Sequence, residues 1–372
     1  MVSTVSIGLN ALDAGRTDVC LDLPAYSPIT HGMLRIRADI DNDVIVAARP
    51  ILGSMHRGVE KLFESRDYRQ ILMLANRHEW LSPFSGEVGV AELLESALGI
   101  EVPAEAAKLR VLLLEFNRVT SHLAFLTGFV FSNSELISHL RKHRELWMTH
   151  FQEYVGGRMH PMITRIGGFT HAPSQDWLAH LASLAENCRT QLTAVQLQLD
   201  KEDGVHGVGR ISVNDVTNFA VSGPVARATG VANDLRASHV GYSNTPFEVT
   251  VHADGDAYSR VAQLIQEVRN SLAIIEALVA ELAVAEFKEV NVLLPKVLRV
   301  PEGEYEHSIE TPLGVASWFL VSRGDKMPYR LKLRSASLHT VLLLGVALTN
   351  ETLNSARVVL TSMPFITGDA ER

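Results

Sequence analysis

Four short segments gather residue types that can do chemistry. Pro28-Ile29-Thr30-His31-Gly32 sets an imidazole on a glycine-containing turn, from which it can point into a cavity. Leu52-Gly53-Ser54-Met55-His56-Arg57-Gly58-Val59-Glu60-Lys61 puts charges between glycines beside an apolar helix start. Asn76-Arg77-His78-Glu79-Trp80-Leu81-Ser82-Pro83 holds a cation, an imidazole, a carboxylate and an indole in one run, and the stretch from Gly156 through Arg158, His160 and Arg165 to Gly168 does much the same. Each segment alone reads as a capped turn or a satisfied polar cluster in the core. Together, with glycines that permit close backbone approach, they read as polar loops converging on something buried.

Other arrangements carry less. Gly204-x-x-Gly207-x-Gly209 does not open a helix after a strand in a βαβ unit, and no Walker lysine is present, so nucleotide binding is not expected. His139 and His143 stand at i, i+4, a spacing that can ligate a metal, but Leu140-Arg141-Lys142 lies between them without a glutamate; a solvated helix face is the better reading.

The chain has 372 residues, with 34 Lys+Arg against 42 Asp+Glu and a net charge of −8. That balance argues against a general nucleic-acid binder, which needs concentrated cations. Only Cys20 and Cys188 are present, too few for an iron-sulfur cluster or a thiolate-rich zinc or nickel site. Any redox metal is therefore expected on another chain. Two isolated thiols also form no disulfide framework and suggest a reducing compartment, with both packed and inert. The residues from Met1 to Asn10 show no basic region followed by an apolar run, and stretches such as Val341–Leu348 fall far short of a membrane span.

Elements must position those segments. Leu34, Ile36, Ala38 and Ile40 alternate with Arg35, Arg37 and Asp39 ahead of Asp41-Asn42-Asp43, which predicts a hairpin over 33–48. After Pro103, the residues Leu109, Leu112, Leu113, Phe116, Val119 and Leu123 form one helical stripe. A second long helix starts at Asp256 and carries Val261, Leu264, Ile265, Val268, Leu272, Ile275, Val279 and Leu282. Further helices are expected over 54–75, 87–98, 134–155 and 174–200. Val315–Val321 reads as a strand buried on both faces, Arg323-Gly324-Asp325 as a turn, and Tyr329–Leu333 as an alternating strand. Breaks at Pro173, Gly223-Pro224, Pro295 and Pro301 read as loops within one body. The expectation is a single, predominantly helical α+β domain over 1–372: a β-rich part at 1–50, a helical body at 51–290, and a β-hairpin with a helix at 291–372. Sheet from both chain ends packs on a central helical bundle.

An ordered series of segments resembles the 49-kDa subunit family of complex I, the D-type subunits of NADH-quinone oxidoreductase, itself related to nickel-iron hydrogenase large subunits. The series includes His31-Gly32-Met33-Leu34-Arg35, His56-Arg57-Gly58-Val59-Glu60-Lys61, Arg77-His78-Glu79-Trp80-Leu81-Ser82-Pro83 and Gly157-Arg158-Met159-His160 with Arg165-Ile166-Gly167-Gly168. It continues through Gly223-Pro224-x-x-Arg227, Gly255-Asp256-x-Tyr258-x-Arg260 and Met327-Pro328-Tyr329-Arg330-Leu331-Lys332-Leu333-Arg334. The resemblance implies a hydrogenase large-subunit-like fold whose metal cavity, stripped of its cysteines, takes quinone.

It also implies roles. His31 and Trp80 match the catalytic, quinone-binding positions, and Arg77 and His160 match residues beside the terminal cluster. No metal is held by this chain: the 4Fe-4S cluster sits on the small B-type subunit, the C-type subunit is a second neighbour, a membrane-arm subunit lies at the quinone channel, and NADH and FMN bind elsewhere in the complex. The resemblance places such a subunit peripherally at the cell membrane, on the cytoplasmic side, supporting quinone reduction coupled to proton translocation.

Departures fall on proton handling. Trp80 stands where the family usually has tyrosine, and an indole donates a hydrogen bond but is not a practical acid. Ser27 replaces a common histidine, Thr127–Asn133 lacks an expected aspartate, and Leu313-Gly314-Val315 stands where Arg-Gly-Glu is usual. Two alternatives follow: a divergent paralogue serving as a scaffold, or the equivalent subunit of a ferredoxin-, formate- or F420-linked membrane oxidoreductase.

Overall fold

A computed structural model describes residues 3–7, 19–21 and 34–372. Strands β1 (Ser3–Ile7), β2 (Val19–Leu21), β3 (Arg35–Asp41) and β4 (Val44–Ile51) form one sheet in the order β2-β1-β3-β4. The β3–β4 pair is the expected hairpin, and both turn residues, Asn42 (φ 49°) and Asp43 (φ 70°), take the left-handed conformation that a two-residue hairpin turn requires. Leu34, Ile36, Ala38 and Ile40 all face the core.

The expected helix at 54–75 is two helices, α1 (Val59–Glu64) and α2 (Tyr68–Ala75). The break follows from Asp67 and Gln70, which form a capping box that starts α2 afresh. Helix α3 (Pro83–Leu98) begins earlier than the expected 87, with Pro83 at its first turn. Next come α4 (Ala104–Gly128), α5 (Ser134–Val155), a two-residue pair of strands β5 (Thr164–Arg165) and β6 (Gly168–Phe169), and α6 (Gln175–Leu199). Asn133 and Ser174 cap α5 and α6 through their side chains.

Helix α7 (Val213–Asn218) is followed by α8 (Gly223–Arg227), a short helix where Gly223-Pro224 suggested a loop. Asp256 caps α9 (Ala257–Leu282) by accepting from the Ser259 N–H, as expected. Strands β7 (Gly303–Thr311), β8 (Gly314–Ser322) and β9 (Arg330–Arg334) form a second, antiparallel sheet, and α10 (Ala336–Leu348), α11 (Leu353–Ser362) and α12 (Thr367–Ala370) close the described chain. Each chain end thus supplies its own sheet. Strand β8 is not buried on both faces: Ala316, Trp318 and Leu320 face the core while Phe319 is 37% exposed.

Helices α4, α5, α6 and α9 pack as a bundle, with α4 against α5 and α9, and α9 against α6. Helix α3 is buried almost all round because it divides two cores. Phe84 and Val88 join the bundle, whereas Val90, Ala91, Leu93 and Leu94 pack with α1, α2 and the second sheet. Gly89 permits this, since a Cβ there would lie 2.1 Å from the Trp318 ring.

Candidate functional site

Three of the four polar segments meet. The Arg57 guanidinium donates to the carbonyl of Arg77 (2.7 Å), and His160 Nδ1 lies 3.0 Å from the carbonyl of Asn76. A carbonyl only accepts, so Nδ1 carries the hydrogen and His160 Nε2 remains an acceptor. Beneath them Glu87 of α3 ties the segments together, accepting from Asn76 Nδ2 (2.6 Å), Met162 N–H (2.7 Å) and Thr164 N–H (3.2 Å). The C-terminal residues join the same cluster: His56 Nδ1 donates to the Glu371 carbonyl (2.8 Å), and Met55 N–H donates to the Glu371 carboxylate. His31, with the whole Pro28–Gly32 turn, lies outside the described residues, as does Ser27.

The outer surface of this cluster is cationic and soft. Arg57 and Arg77 are exposed, His160 is half-buried, Met159 and Met162 are exposed, and Arg77 Nη2 lies 3.5 Å from Met162 Sδ. Burial, and then the charges of Arg77 and Arg57, hold His160 below the ordinary imidazole pKa. The imidazole is therefore neutral at pH 7, and the positive charge of the face comes from arginine.

The inner side holds His78, Glu79 and Asp369, all buried. His78 Nδ1 donates to Asp369 Oδ1 (2.8 Å), and Asp369 Oδ2 accepts from Ser337 N–H at the start of α10 (3.2 Å). Burial and the nearby Asp369 charge push Glu79 well above the usual carboxylate range, which favours its neutral form; Thr311 and Ser82 are its polar neighbours. Trp80 is half-buried, with its ring packed over Gly368.

Arg118 connects this cluster to a larger ionic network inside the bundle. It reaches Glu115 on α4 and the carbonyls of Glu310 and Thr311 at the end of β7. Arg236 pairs with Glu115 (3.1 Å) and Asp234 (2.7 Å), and Arg227 pairs with Asp234 (3.1 Å), Glu267 (2.8 Å) and Glu310 (2.7 Å). His122 donates to Glu267 (3.1 Å). Four carboxylates thus face three guanidiniums and one imidazole. Burial holds His122 below and Glu310 above their ordinary pKa values.

The residues expected at the site divide. Arg77 and His160 are brought together, and Trp80 lies on the same cluster. Arg158 instead turns to Glu145 on α5, and Arg165 folds back on the carbonyls of Met162 and Thr164. His139 is exposed as expected, but His143 is buried and accepts from the Trp147 indole (3.3 Å), so the pair is not one solvated face. The glycine loop at 204–209 is structural: Gly207 N–H donates to Asp256 and Gly209 N–H to Glu351. Cys188 is packed in the bundle, where burial pushes its thiol up to about 12. The converging segments contain no thiol, which does not fit a thiolate-held metal. Glu87, Asp369 and Glu371 were not legible as site residues. Only Glu87, an acidic residue within an apolar run, carried a signal.

Over residues 134–372 the chain matches the family model described as "Respiratory-chain NADH dehydrogenase, 49 Kd subunit". It is 39% identical over 380 residues to the first D-type subunit of the NADH-quinone oxidoreductase of Streptomyces coelicolor, covering 100% of this chain and 98% of the relative. It is 38% identical to the second D-type subunit of Streptomyces griseus, covering 100% and 96%, and 30% identical to the D-type subunit of Protochlamydia amoebophila, covering 95% of each. The chain belongs to this 49-kDa, or D-type, subunit family of complex I. It is accordingly one subunit of a multi-subunit oxidoreductase.

Proposed function

We propose that this chain forms a wall of the chamber in which quinone is reduced, beside a 4Fe-4S cluster held by the small B-type subunit. The C-type subunit and a membrane-arm subunit at the quinone channel are the other neighbours, and NADH and FMN are bound elsewhere in the complex. Electron transfer from cluster to quinone is then coupled, in the whole assembly, to proton translocation. No helix among the described residues is long and apolar enough to cross a membrane, so this reading has partners hold the chain peripherally on the cytoplasmic side of the cell membrane.

The observation that carries the reading is the layered cluster itself. Its outer layer, Arg57, Arg77, His160 and the two methionines, is suited to lie against a partner's cluster, where a cation favours the reduced state and an imidazole can take up a proton on reduction. Its inner layer is suited to quinone, whose reduction consumes two electrons and two protons. Trp80 can donate an indole hydrogen bond to a quinone carbonyl but cannot supply a proton. Proton supply then falls to His31 and to the neutral Glu79 next to Trp80.

A tagged chain purified from solubilised membranes, with partner identification and a quinone reductase assay on the same sample, tests this. The iron-sulfur subunit is expected to co-purify with quinone-dependent activity, and Trp80→Tyr is expected to leave turnover little changed. A second reading, a scaffold paralogue, is motivated by Trp80 and the lost carboxylates. It predicts an assembled complex with little or no quinone reductase activity that gains strongly from Trp80→Tyr.

A further inference from the structure

Between α5 and α6 lies a set of side chains that the quinone reading does not use. His150 and Glu153 stand one turn apart near the end of α5, and His180 comes from the neighbouring α6. We propose that His150, Glu153 and His180 form a binding site for a divalent transition-metal ion of the zinc class, with Asp176 or water completing the coordination.

One ligand atom from each of the three residues lies within 4.8 Å of the others. Tetrahedral zinc, with bonds of about 2.0–2.2 Å, sets its ligand atoms roughly 3.4 Å apart, so a contraction of at most about 1.4 Å completes the site. The residues that must move are free to do so: His180 is exposed and the Glu153 side chain is 55% exposed. His150 is the fixed member. Its side chain is only 1% exposed, its ring stacks on Trp177 (centroids 4.5 Å apart, planes 8° apart), and the Trp177 indole N–H donates to the His150 carbonyl (2.8 Å).

The electrostatics favour a cation. The His150 and His180 rings meet edge to face at 4.6 Å, where two protonated imidazoles would repel. His150 Nδ1 faces Glu153 (3.2 Å), while its Nε2 is buried without a hydrogen-bond partner. A cavity of about 460 Å³ opens beside Glu153 and His180 and is also lined by Asp176, one turn before His180 on α6. His171 lines it too, but its two nitrogens are engaged with Thr170 and the Tyr154 carbonyl.

Two imidazoles with carboxylate oxygen form a borderline donor set, which selects Zn²⁺, Cu²⁺ or Ni²⁺ over Mg²⁺ or Ca²⁺. Ligation would clamp α5 to α6 close to Gly156, where the chain leaves α5 for the His160 segment.

The test uses the full-length chain stripped with chelator and titrated with Zn²⁺ against a chromophoric competitor. Because the chain has 15 histidines, the deciding quantity is the difference between wild type and variants. Wild type is expected to bind one tight equivalent, weakened at least about tenfold in both His180→Ala and Glu153→Gln. Zinc is expected to raise the melting temperature of wild type alone, and Cu²⁺ electron paramagnetic resonance to show two nitrogen ligands, falling to one in His180→Ala. Equal zinc affinity and stoichiometry in all three proteins, or an equal response to Mg²⁺, would overturn the site. Both variants alter exposed side chains, so a metal-free melting temperature equal to wild type separates loss of the site from loss of the fold.

Discussion

At Gly368 a Cβ atom would lie 2.1 Å from the Trp80 ring, so the position next to the expected quinone contact is shaped to an indole. Gly368→Ala is expected to cost about 1–3 kcal/mol through overpacking. The atoms in the way belong to the outer ring of the indole, which tyrosine lacks. The cost should therefore fall in the Trp80→Tyr background, and a double-mutant cycle by denaturant unfolding with no coupling would contradict the packing. Glu79 makes a second prediction. Its folded-state pKa is raised above the ordinary value of 4.5, so its stabilising contribution is full below that value and is lost as pH rises through the raised one. Glu79→Gln, neutral at every pH, should gain in melting temperature relative to wild type between pH 4 and pH 8. A difference that does not change with pH would count against a protonated Glu79. At this scale the sequence revealed the cationic segments, since Arg77 and His160 sit in runs whose composition is unusual. It could not reveal Asp369, because the His78–Asp369 contact spans 291 positions and depends on how α12 docks.

Helices α4, α5, α6 and α9 were legible because their apolar residues repeat near 3.6, and the last three open on the side-chain caps Asn133, Ser174 and Asp256. What periodicity hides is the interior of α4, buried on every side from Leu109 to Gly128 and therefore carrying Arg110, Glu115, Arg118 and His122 into the core. Strand β7 was not legible, because Glu304, Glu306, His307 and Glu310 mask its alternation. Two predictions belong to elements. Arg227 joins α8 to α9 and β7 through Glu267 and Glu310, so Arg227→Met leaves buried carboxylates uncompensated and is expected to destabilise by about 3–5 kcal/mol. Glu92 on α3 takes His307 of β7 (2.9 Å) and His239 (3.4 Å), which hold its carboxyl well below the usual range against the cost of burial; the same contact raises His239 above the ordinary 6.5. The Glu92 contribution is present above its unfolded pKa, and the His239 contribution is full below 6.5 and fades as pH rises through the raised value. Glu92→Gln should thus lower the melting temperature more at pH 6 than at pH 9, and the reverse order would refute the pairing.

On the scale of the whole molecule, two sheets from opposite chain ends and a helical bundle hold one cationic, methionine-bearing face together, built from residues 52–61, 76–83, 156–168 and the C-terminal turn. The family membership makes the chain one subunit of a multi-subunit oxidoreductase, and that face is the surface proposed to meet its redox partner. The central claim is that Arg77 and His160 lie against that partner's terminal cluster. It is tested most directly by a redox titration of the cluster, followed by electron paramagnetic resonance, in complexes purified with wild-type, Arg77→Ala or His160→Ala chains. Removing the cation is expected to move the cluster potential to more negative values, and removing the imidazole to weaken its pH dependence. An unchanged potential and an unchanged pH dependence in both variants would contradict the account.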